Sequence, residues 1–117
     1  MNGFLDALNA LDVERMAAYF ADDVTAFVPT AQADRVDGKP AVVEVFRQFV
    51  ETTRKTTSRL QIVPEDLEVD AESETAIVTF NVRSAGSVLR RTFIFRNQGG
   101  RWLIVHFHAS NFKPPGS

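Results

Sequence analysis

Three runs of strand-forming residues, separated only by short glycine-containing turns, make up the C-terminal part of the sequence. They extend from Thr75 to Arg83, from Val88 to Asn97 and from Trp102 to Asn111, and they alternate in polarity or are rich in β-branched and aromatic residues. Ser84-Ala85-Gly86 and Asn97-Gln98-Gly99-Gly100 provide turns of hairpin length. The pattern therefore predicts an antiparallel meander of three strands.

The first half of the sequence has apolar residues at helical spacing instead. A first helix is expected near the N-terminus, Asp12 is placed to cap a second helix, and Asp22-Asp23 ends that helix. A third helix begins at Lys39-Pro40, because proline is favoured in the first helical turn. The predicted apolar faces of the three helices are Phe4, Leu5, Leu8 and Leu11; Val13, Met16, Ala17 and Phe20; and Val42, Val43, Phe46, Phe49 and Val50.

Two further segments are predicted to be extended. One is a short strand from Val24 to Val28, before a polar loop from Thr30 to Gly38, and the other runs from Leu60 to Val69 with an interruption at Pro64. Helices followed by a meander are typical of an α+β domain, in which one face of a sheet packs against helices. We predict one such domain over residues 1–112 and a flexible tail over residues 113–117.

Length and composition exclude several classes of protein. A chain of 117 residues fits one domain, and its net charge of −2 does not suggest binding to nucleic acid. The absence of cysteine excludes disulfides and cysteine-ligated zinc. No apolar run approaches the roughly 18 residues of a membrane span, and an N-terminus that carries Asp6 and no basic segment is not a signal peptide. We therefore expect a cytoplasmic protein without membrane contacts.

The phenylalanine content allows two interpretations. The sequence has ten Phe but only one Trp and one Tyr. The rings either pack a dense core or, in part, line a cavity.

The hairpin registers decide which side chains share a face of the sheet. We place Gln98-Gly99 at the tip of the last hairpin and assume a three-residue loop, with Gly86 left-handed, in the first. The predicted pairs are Phe95 with Trp102, Phe93 with Ile104, Arg91 with His106, Thr79 with Arg91 and Asn81 with Leu89.

These registers predict one face that mixes aromatic and polar side chains and one face that is apolar with an arginine rim. The mixed face is expected to line a pocket, with Trp102 buried against Phe95. The apolar face is expected to be buried between subunits, through Val78, Phe80, Val105 and Phe107. The alternative is that the mixed face is solvated and the apolar face packs on the helices.

The segment from Gly100 to Ser110 has the pattern Gly-x-Trp-x-x-Val-His-aromatic-His-x-Ser. This pattern resembles the SnoaL-like, or nuclear-transport-factor-two-like, family, and especially the association (hub) domain of calcium/calmodulin-dependent protein kinase II. Thr25-Ala26-Phe27, Pro29 and Val36-Asp37-Gly38 are similar to the segment that leads into the long helix of that domain. The resemblance implies a cone-shaped, strongly curved, mostly antiparallel sheet packed on three helices, with an internal pocket and assembly through the sheet.

The resemblance also implies that an arginine of the first meander strand faces the pocket, and Arg83 matches that position. A second pocket arginine falls on Phe93 here, and Arg91, on the same predicted face, is the expected substitute. Two arginines in one cavity favour an anionic ligand such as a carboxylate. The predicted ligand-binding residues are Arg83, Arg91, Asn81, Thr79, Phe93, Trp102, His106 and His108.

The two histidines are the other candidates for chemistry. A metal site would need further ligands, and no other His or Cys exists, so we predict no metal. His106 is a candidate general base that a neighbouring Arg91 would keep neutral, and the alternative is that both histidines bind neighbouring groups. The acids Asp22, Asp23, Asp34 and Asp37 are expected to cap helices or form turns.

Three functions remain open from the sequence. The first is a homodimeric pocket protein that binds a small organic carboxylate, with no cofactor. The second is an enzyme of isomerase, cyclase or dehydratase type on the same pocket. The third is a hub-like oligomerisation module, because the fold alone does not fix the function.

Overall fold

A computed structural model gives the fold of residues 2–29, 35–84 and 86–113. The predicted α+β architecture is confirmed, with helices on one face of a single curved sheet. The predicted tail from residue 114 onward, and residues 30–34 of the predicted loop, lie outside the described residues. The elements are α1 (Asn2–Asn9), α2 (Val13–Ala17), β1 (Phe20–Phe27), β2 (Val36–Asp37), α3 (Lys39–Arg54), β3 (Glu65–Ala71), β4 (Thr75–Ser84), β5 (Ser87–Gln98) and β6 (Arg101–Phe112).

Backbone hydrogen bonds fix the link between α1 and α2. Leu11 N–H donates to Leu8 O at 2.9 Å and Asp12 N–H donates to Ala7 O at 3.0 Å, which is a Schellman motif. Leu11 has a φ of 55°, which usually selects glycine, yet its side chain is fully buried. Burial of the leucine therefore outweighs the backbone preference. Asp12 caps α2 as predicted, by accepting from Arg15 N–H at 3.2 Å.

The second helix is shorter than predicted. It ends at Ala17, because Tyr19 O accepts from Ile104 N–H at 2.7 Å and draws the chain into the sheet. Asp22 and Asp23 consequently lie in β1 and do not end the helix. The third helix begins at Lys39 as predicted.

The sheet has the strand order β2-β1-β6-β5-β4-β3. β1 and β6 are parallel, and every other neighbouring pair is antiparallel. β3 is an edge strand whose seven residues are all exposed, and it begins at Glu65, after the predicted interruption at Pro64. No helix within the described ranges is long and apolar enough to cross a membrane.

Both hairpin registers differ from the prediction. Ser84 pairs with Ser87, so the first loop is one residue shorter than assumed. Gln98 pairs with Arg101, which moves the tip of the second hairpin to Gly99-Gly100. Both tip glycines have positive φ, as the twist of a two-residue hairpin requires.

β6 also contains a bulge. Phe95 pairs with Ile104 but Ile94 pairs with His106, so Val105 has no partner on β5. One extra residue exchanges the faces of all the residues that follow it. Phe107 therefore faces the same side as Ile104, whereas His106 faces the opposite side.

The corrected registers define an inner face, which packs against the helices, and an outer face. The inner face includes Ala76, Val78, Phe80, Val82, Leu89, Arg91, Phe93, Phe95, Ile104, Phe107, Ala109 and Asn111. The outer face includes Ile77, Thr79, Asn81, Arg83, Arg90, Thr92, Ile94, Arg96, Leu103, His106, His108 and Ser110.

Two predictions about these faces are wrong. Val78, Phe80 and Phe107 are not available for a subunit interface, because they lie in the core of the chain, as the alternative interpretation held. Trp102 is not buried against Phe95. The shifted hairpin tip pairs Trp102 with Asn97 and leaves its side chain 39% exposed.

Phenylalanine rings dominate the core. The ring of Phe93 lies 5.5 Å from that of Phe4, 5.9 Å from that of Phe80 and 5.5 Å from that of Phe107, between ring centroids. Contacts in this range contribute beyond the area that they bury. The cluster connects α1 with β4, β5 and β6.

Deletion of Val105 tests whether this residue is the bulge. Without it, Ile104 and His106 become consecutive and keep their partners Phe95 and Ile94, so Phe107 stays in the core. We therefore expect the free energy of unfolding, measured by urea denaturation, to fall by less than the roughly 3–5 kcal/mol of a large aromatic truncation. Deletion of Thr92, where β5 pairs without interruption, would turn either Phe93 or Arg91 to the outer face and should cost more. Equal losses in the two variants would contradict a bulge at Val105.

Candidate functional site

An apolar cavity of about 320 Å³ lies between the inner face of the sheet and helices α1 and α3. This volume is at the small end of ligand pockets, which occupy roughly 300–1,000 Å³, and it corresponds to about ten water-sized groups. The lining residues are Phe4, Leu5, Leu8, Val28, Pro29, Val45, Phe46, Phe49, Ile62, Phe80, Val82, Leu89, Arg91, Phe93, Phe107, Ala109 and Asn111.

Six of these lining residues are phenylalanines. Four of the six, Phe4, Phe80, Phe93 and Phe107, also belong to the buried core. Both interpretations of the phenylalanine content therefore hold, because the same rings pack the core and line the cavity.

Arg91 is the only charged side chain among these lining residues. Its Nη1 donates to Arg90 O at 2.9 Å and to Ser110 O at 3.2 Å. Within the described residues, Nε and Nη2 of Arg91 make no hydrogen bond, and no carboxylate lies within 4.0 Å of the guanidinium. Burial lowers the pKa of Arg91 from its ordinary value, but an arginine remains protonated in proteins. The cavity thus contains a cation with one unused donor edge.

The predicted ligand-binding residues separate into two groups. Arg91 and Phe93 line the cavity. Trp102 lies where β6 begins and does not line the cavity. The remaining residues lie on the outer face: Arg83, Asn81, Thr79, His106 and His108.

Arg83 is exposed, and its Nε lies 3.1 Å from Glu65 Oε2. The prediction that Arg83, Arg91 and His106 point into one cavity is therefore wrong. The shorter first hairpin loop turns Arg83 outward, and the bulge does the same for His106.

On the outer face, the two histidines contact β1. The Nδ1 atom of His106 lies 2.8 Å from Thr25 Oγ1, in agreement with the alternative that the histidines bind neighbouring groups. The ring of Phe27 lies 5.4 Å from that of His106 and 5.5 Å from that of His108, between centroids. Burial lowers the pKa of His106, His108 and Arg35 lower it further, and the hydrogen bond with Thr25 opposes them.

Three of the four predicted acids, Asp22, Asp23 and Asp37, do not line the cavity. Asp23 accepts from Arg96 Nη2 at 3.1 Å, Asp37 Oδ1 lies 2.6 Å from Arg35 Nε, and Asp22 is exposed on β1. Asp34 lies outside the described residues. Among the residues that the structure describes, no three His, Asp or Glu side chains are grouped as metal ligands.

Sequence reasoning missed Asn111, which lines the cavity beside its strand partner Leu89. The signal is the alternation that follows the bulge: once Phe107 is in the core, Ala109 and Asn111 share its face. Leu5 and Leu8 were predicted to lie on the apolar face of the first helix, and both line the cavity. Helical periodicity does not show which apolar side chains pack in the core and which border a cavity.

A second depression, of about 650 Å³, lies between α2, β1 and the start of α3. It is more open to solvent than the cavity, and its charged side chains are of both signs. Its lining residues are Ala17, Asp22, Lys39, Pro40, Val43, Glu44 and Arg47. We take the cavity with its single charge as the candidate site, because convergent polar groups in an apolar enclosure are typical of ligand pockets.

The profile of the SnoaL-like domain matches residues 1–114. No protein of curated function matches the chain in sequence. The match confirms the resemblance that the final strand indicated.

Solved structures share the fold. An NTF2-like protein of unknown function from Pseudomonas putida KT2440 is 26% identical with a TM-score of 0.80, over 93% of this chain and 79% of that chain. A candidate dehydratase of the NTF2-like family from Streptomyces avermitilis is 19% identical with a TM-score of 0.78, over 97% and 91% of the two chains. The association domain of C. elegans CaMKII is 19% identical with a TM-score of 0.70, over 93% and 88%.

Titration of His106 should make stability depend on pH. Its pKa is lowered in the folded chain, so the unfolded chain takes up the proton first as the pH falls below the ordinary value of 6.5. The free energy of unfolding should therefore decrease from pH 6.5 downward to the folded pKa and be unaffected above pH 6.5.

We expect His106→Gln to reduce this dependence in urea denaturation between about pH 7.5 and pH 5.5. His108→Gln should keep most of it, because burial is the largest cause of the His106 shift. The same pH dependence in wild type and His106→Gln would contradict the assignment.

Proposed function

The chain belongs to the SnoaL-like family, and on that premise we propose that it binds a small amphipathic carboxylate, whose apolar part occupies the cavity and whose acid group pairs with Arg91. The observation that carries the proposal is the unused donor edge of Arg91 in an otherwise apolar lining. A buried charge is costly unless it is paired, and a ligand anion would supply the pair.

The geometry of Arg91 favours a carboxylate over other acceptors. Both of its hydrogen bonds to backbone carbonyls come from Nη1. Nε and one hydrogen of Nη2 lie along the same edge of a guanidinium, and this edge matches the two oxygens of a carboxylate. The carbonyls of Arg90 and Ser110 hold the guanidinium in place before the ligand arrives.

Binding is favoured over acid–base catalysis by the chemistry of the lining. Apart from Arg91, the polar side chain among the lining residues that the structure describes is Asn111. Neither an arginine nor an amide exchanges protons near neutral pH, and general acid–base catalysis needs a group that does so within hydrogen-bonding distance of the reacting atoms. His106, the predicted candidate base, faces the other side of the sheet.

A homodimer through the outer face is the second part of the proposal. Ile77 and Ile94 are cross-strand partners on that face, and Ile77 is 45% exposed. Phe27, at 41% exposure, extends the apolar surface on β1. The similar fold from C. elegans is an association domain, which supports assembly through this fold.

Arg91→Met tests the carboxylate pairing, with octanoate and the neutral octanamide as probes in calorimetry. Hydrogen bonds to charged groups contribute roughly 1.5–3 kcal/mol, so wild type should bind octanoate about 10- to 100-fold more tightly than octanamide. Arg91→Met should remove this preference and retain the binding of octanamide.

Arg83→Met is the matched control, because Arg83 lies on the outer face in a solvent-exposed ion pair. It should bind both probes as wild type does. Equal affinity of wild type for the two probes, or the same response in both variants, would overturn the pairing. Absence of binding by either probe would overturn this ligand class as a whole.

Substitution of the outer face tests the dimer. Ile77→Glu combined with Ile94→Glu places adjacent charges on the proposed interface and should convert a dimer to a monomer in size-exclusion chromatography with light scattering. Val69→Glu changes an apolar side chain that is 60% exposed on the edge strand and should leave the dimer intact. A wild-type monomer at micromolar concentration would contradict this part of the proposal.

A further inference from the structure

One wall of the cavity comes from a segment without helix or strand, residues 57–64, which connects α3 to β3. We call this segment the strap. Leu60, Ile62 and Pro64 are half-buried whereas Gln61 and Val63 are exposed, so the strap runs extended with alternate residues turned inward. Leu60 and Ile62 pack against the core, and Ile62 lines the cavity.

Besides this packing, the strap is hydrogen-bonded to α1 through one residue. Asn9, the last residue of α1, accepts from Leu60 N–H through its backbone carbonyl at 2.8 Å. Its side-chain Oδ1 accepts from Ile62 N–H at 2.8 Å, and its Nδ2 donates to Ile62 O at 3.4 Å. In the described part of the chain, these are the hydrogen bonds that join residues 58–64 to other elements.

The side-chain amide of Asn9 therefore makes the two backbone hydrogen bonds with Ile62 that a neighbouring strand would make in a sheet. It satisfies both backbone groups of Ile62, the residue whose side chain faces the cavity. Beyond the bonds to Asn9, the described hydrogen bonds of the strap are all at its start: Thr57 N–H donates to Thr53 O of α3 at 3.1 Å, and in a local turn Thr57 Oγ1 donates to Arg59 O at 2.8 Å and accepts from Arg59 N–H at 3.3 Å. A segment with so few hydrogen bonds opens at low free energy compared with the sheet.

We propose that the strap is the gate through which ligand reaches the cavity, and that Asn9 is the positioning residue that holds the gate closed. This inference rests on the proposed function, because a gate requires a ligand. Breaking the two side-chain bonds of Asn9 frees Ile62 to move out of the wall, while Arg91 and the phenylalanine lining stay on the sheet and helices.

Hydrogen exchange and ligand exchange together test the gate. In Asn9→Ala, the amide of Ile62 should exchange at least about tenfold faster, since two hydrogen bonds are lost. The amide of Leu60 should change less, because its acceptor is the backbone of residue 9. Asn9→Asp keeps an acceptor for Ile62 N–H and should fall between wild type and Asn9→Ala. Gln61→Ala, an exposed position in the strap, is the control and should change neither amide.

Octanoate is the probe for the gate itself, with its dissociation rate read from NMR line shapes. Asn9→Ala should release octanoate about tenfold faster and change the equilibrium affinity less than the rate, since Arg91 is untouched. An unchanged dissociation rate would overturn the gate. Equal acceleration of exchange in the strap and in the core amides of β5 and β6 would show that Asn9 stabilises the whole fold. That result would overturn its positioning role.

The two proposals fail separately. If wild type does not bind octanoate, the proposed ligand class fails and the gate fails with it, whatever the exchange of the strap. If wild type binds octanoate and Asn9→Ala leaves both the exchange of Ile62 and the release of octanoate unchanged, the inference about Asn9 fails and the proposed function stands.

Discussion

The single extra residue at Val105 determines which residues in the second half of β6 face the core. Ile104 precedes the bulge and Phe107 follows it, and both face the core. In a regular strand, residues three positions apart would lie on opposite faces. The neighbouring strand β1 has its own irregularity at the same level, between Phe20 and Thr25, so both strands beside β6 accommodate the change. If the same residues paired without the bulge, the two histidines would face the phenylalanine cluster and Phe107 would face solvent. The inward positions of Phe107, Ala109 and Asn111 and the outward positions of the histidines follow from this constraint.

Arg91 is the charged residue of the cavity lining, and among the described residues hydrogen bonds are accepted from only one of its three guanidinium nitrogens. The carbonyls of Arg90 and Ser110 accept from Nη1 and fix the plane of the group. Two of the outward-facing arginines have carboxylate partners: Arg83 pairs with Glu65 and Arg96 pairs with Asp23, in exposed positions where such pairs contribute little to stability. Arginines on one sheet thus have different roles according to the face that the register assigns to them. On the inner face, Arg91 has no carboxylate within 4.0 Å among the described residues, and the proposed preference for an anion rests on this difference.

The existence and order of most elements could be predicted from the sequence, but the faces of the sheet could not. Helix spacing, the Asp12 cap and the glycine turns are local signals, and each of them is found in the structure. Register depends on two quantities that alternation does not reveal: the length of the first hairpin loop, and the bulge at Val105. The sequence from Val105 to Ala109 alternates between apolar residues and histidine, which favours an unbroken strand, and the prediction of an unbroken strand placed His106 in the pocket. Arg91 and Phe93, which were predicted to face the pocket, line the cavity because they lie on β5, whose own alternation has no interruption.

An apolar cavity in so small a domain also needs a reason to remain open, since its walls forgo the dispersion contacts of a filled core. Ala109 lies on the cavity wall, in the same strand as the much larger Phe107, and a bulkier side chain there would occupy part of the space. The rings around the cavity cannot collapse into it, because Phe93 is held by Phe4, Phe80 and Phe107 at centroid distances of 5.5 to 5.9 Å. The wall with the fewest hydrogen bonds is the strap, which is joined through Asn9 and not through a strand ladder. In the proposed gate, this weakly attached segment lies opposite the aromatic wall, so opening of the strap would let ligand exchange without disturbance of the elements that position Arg91.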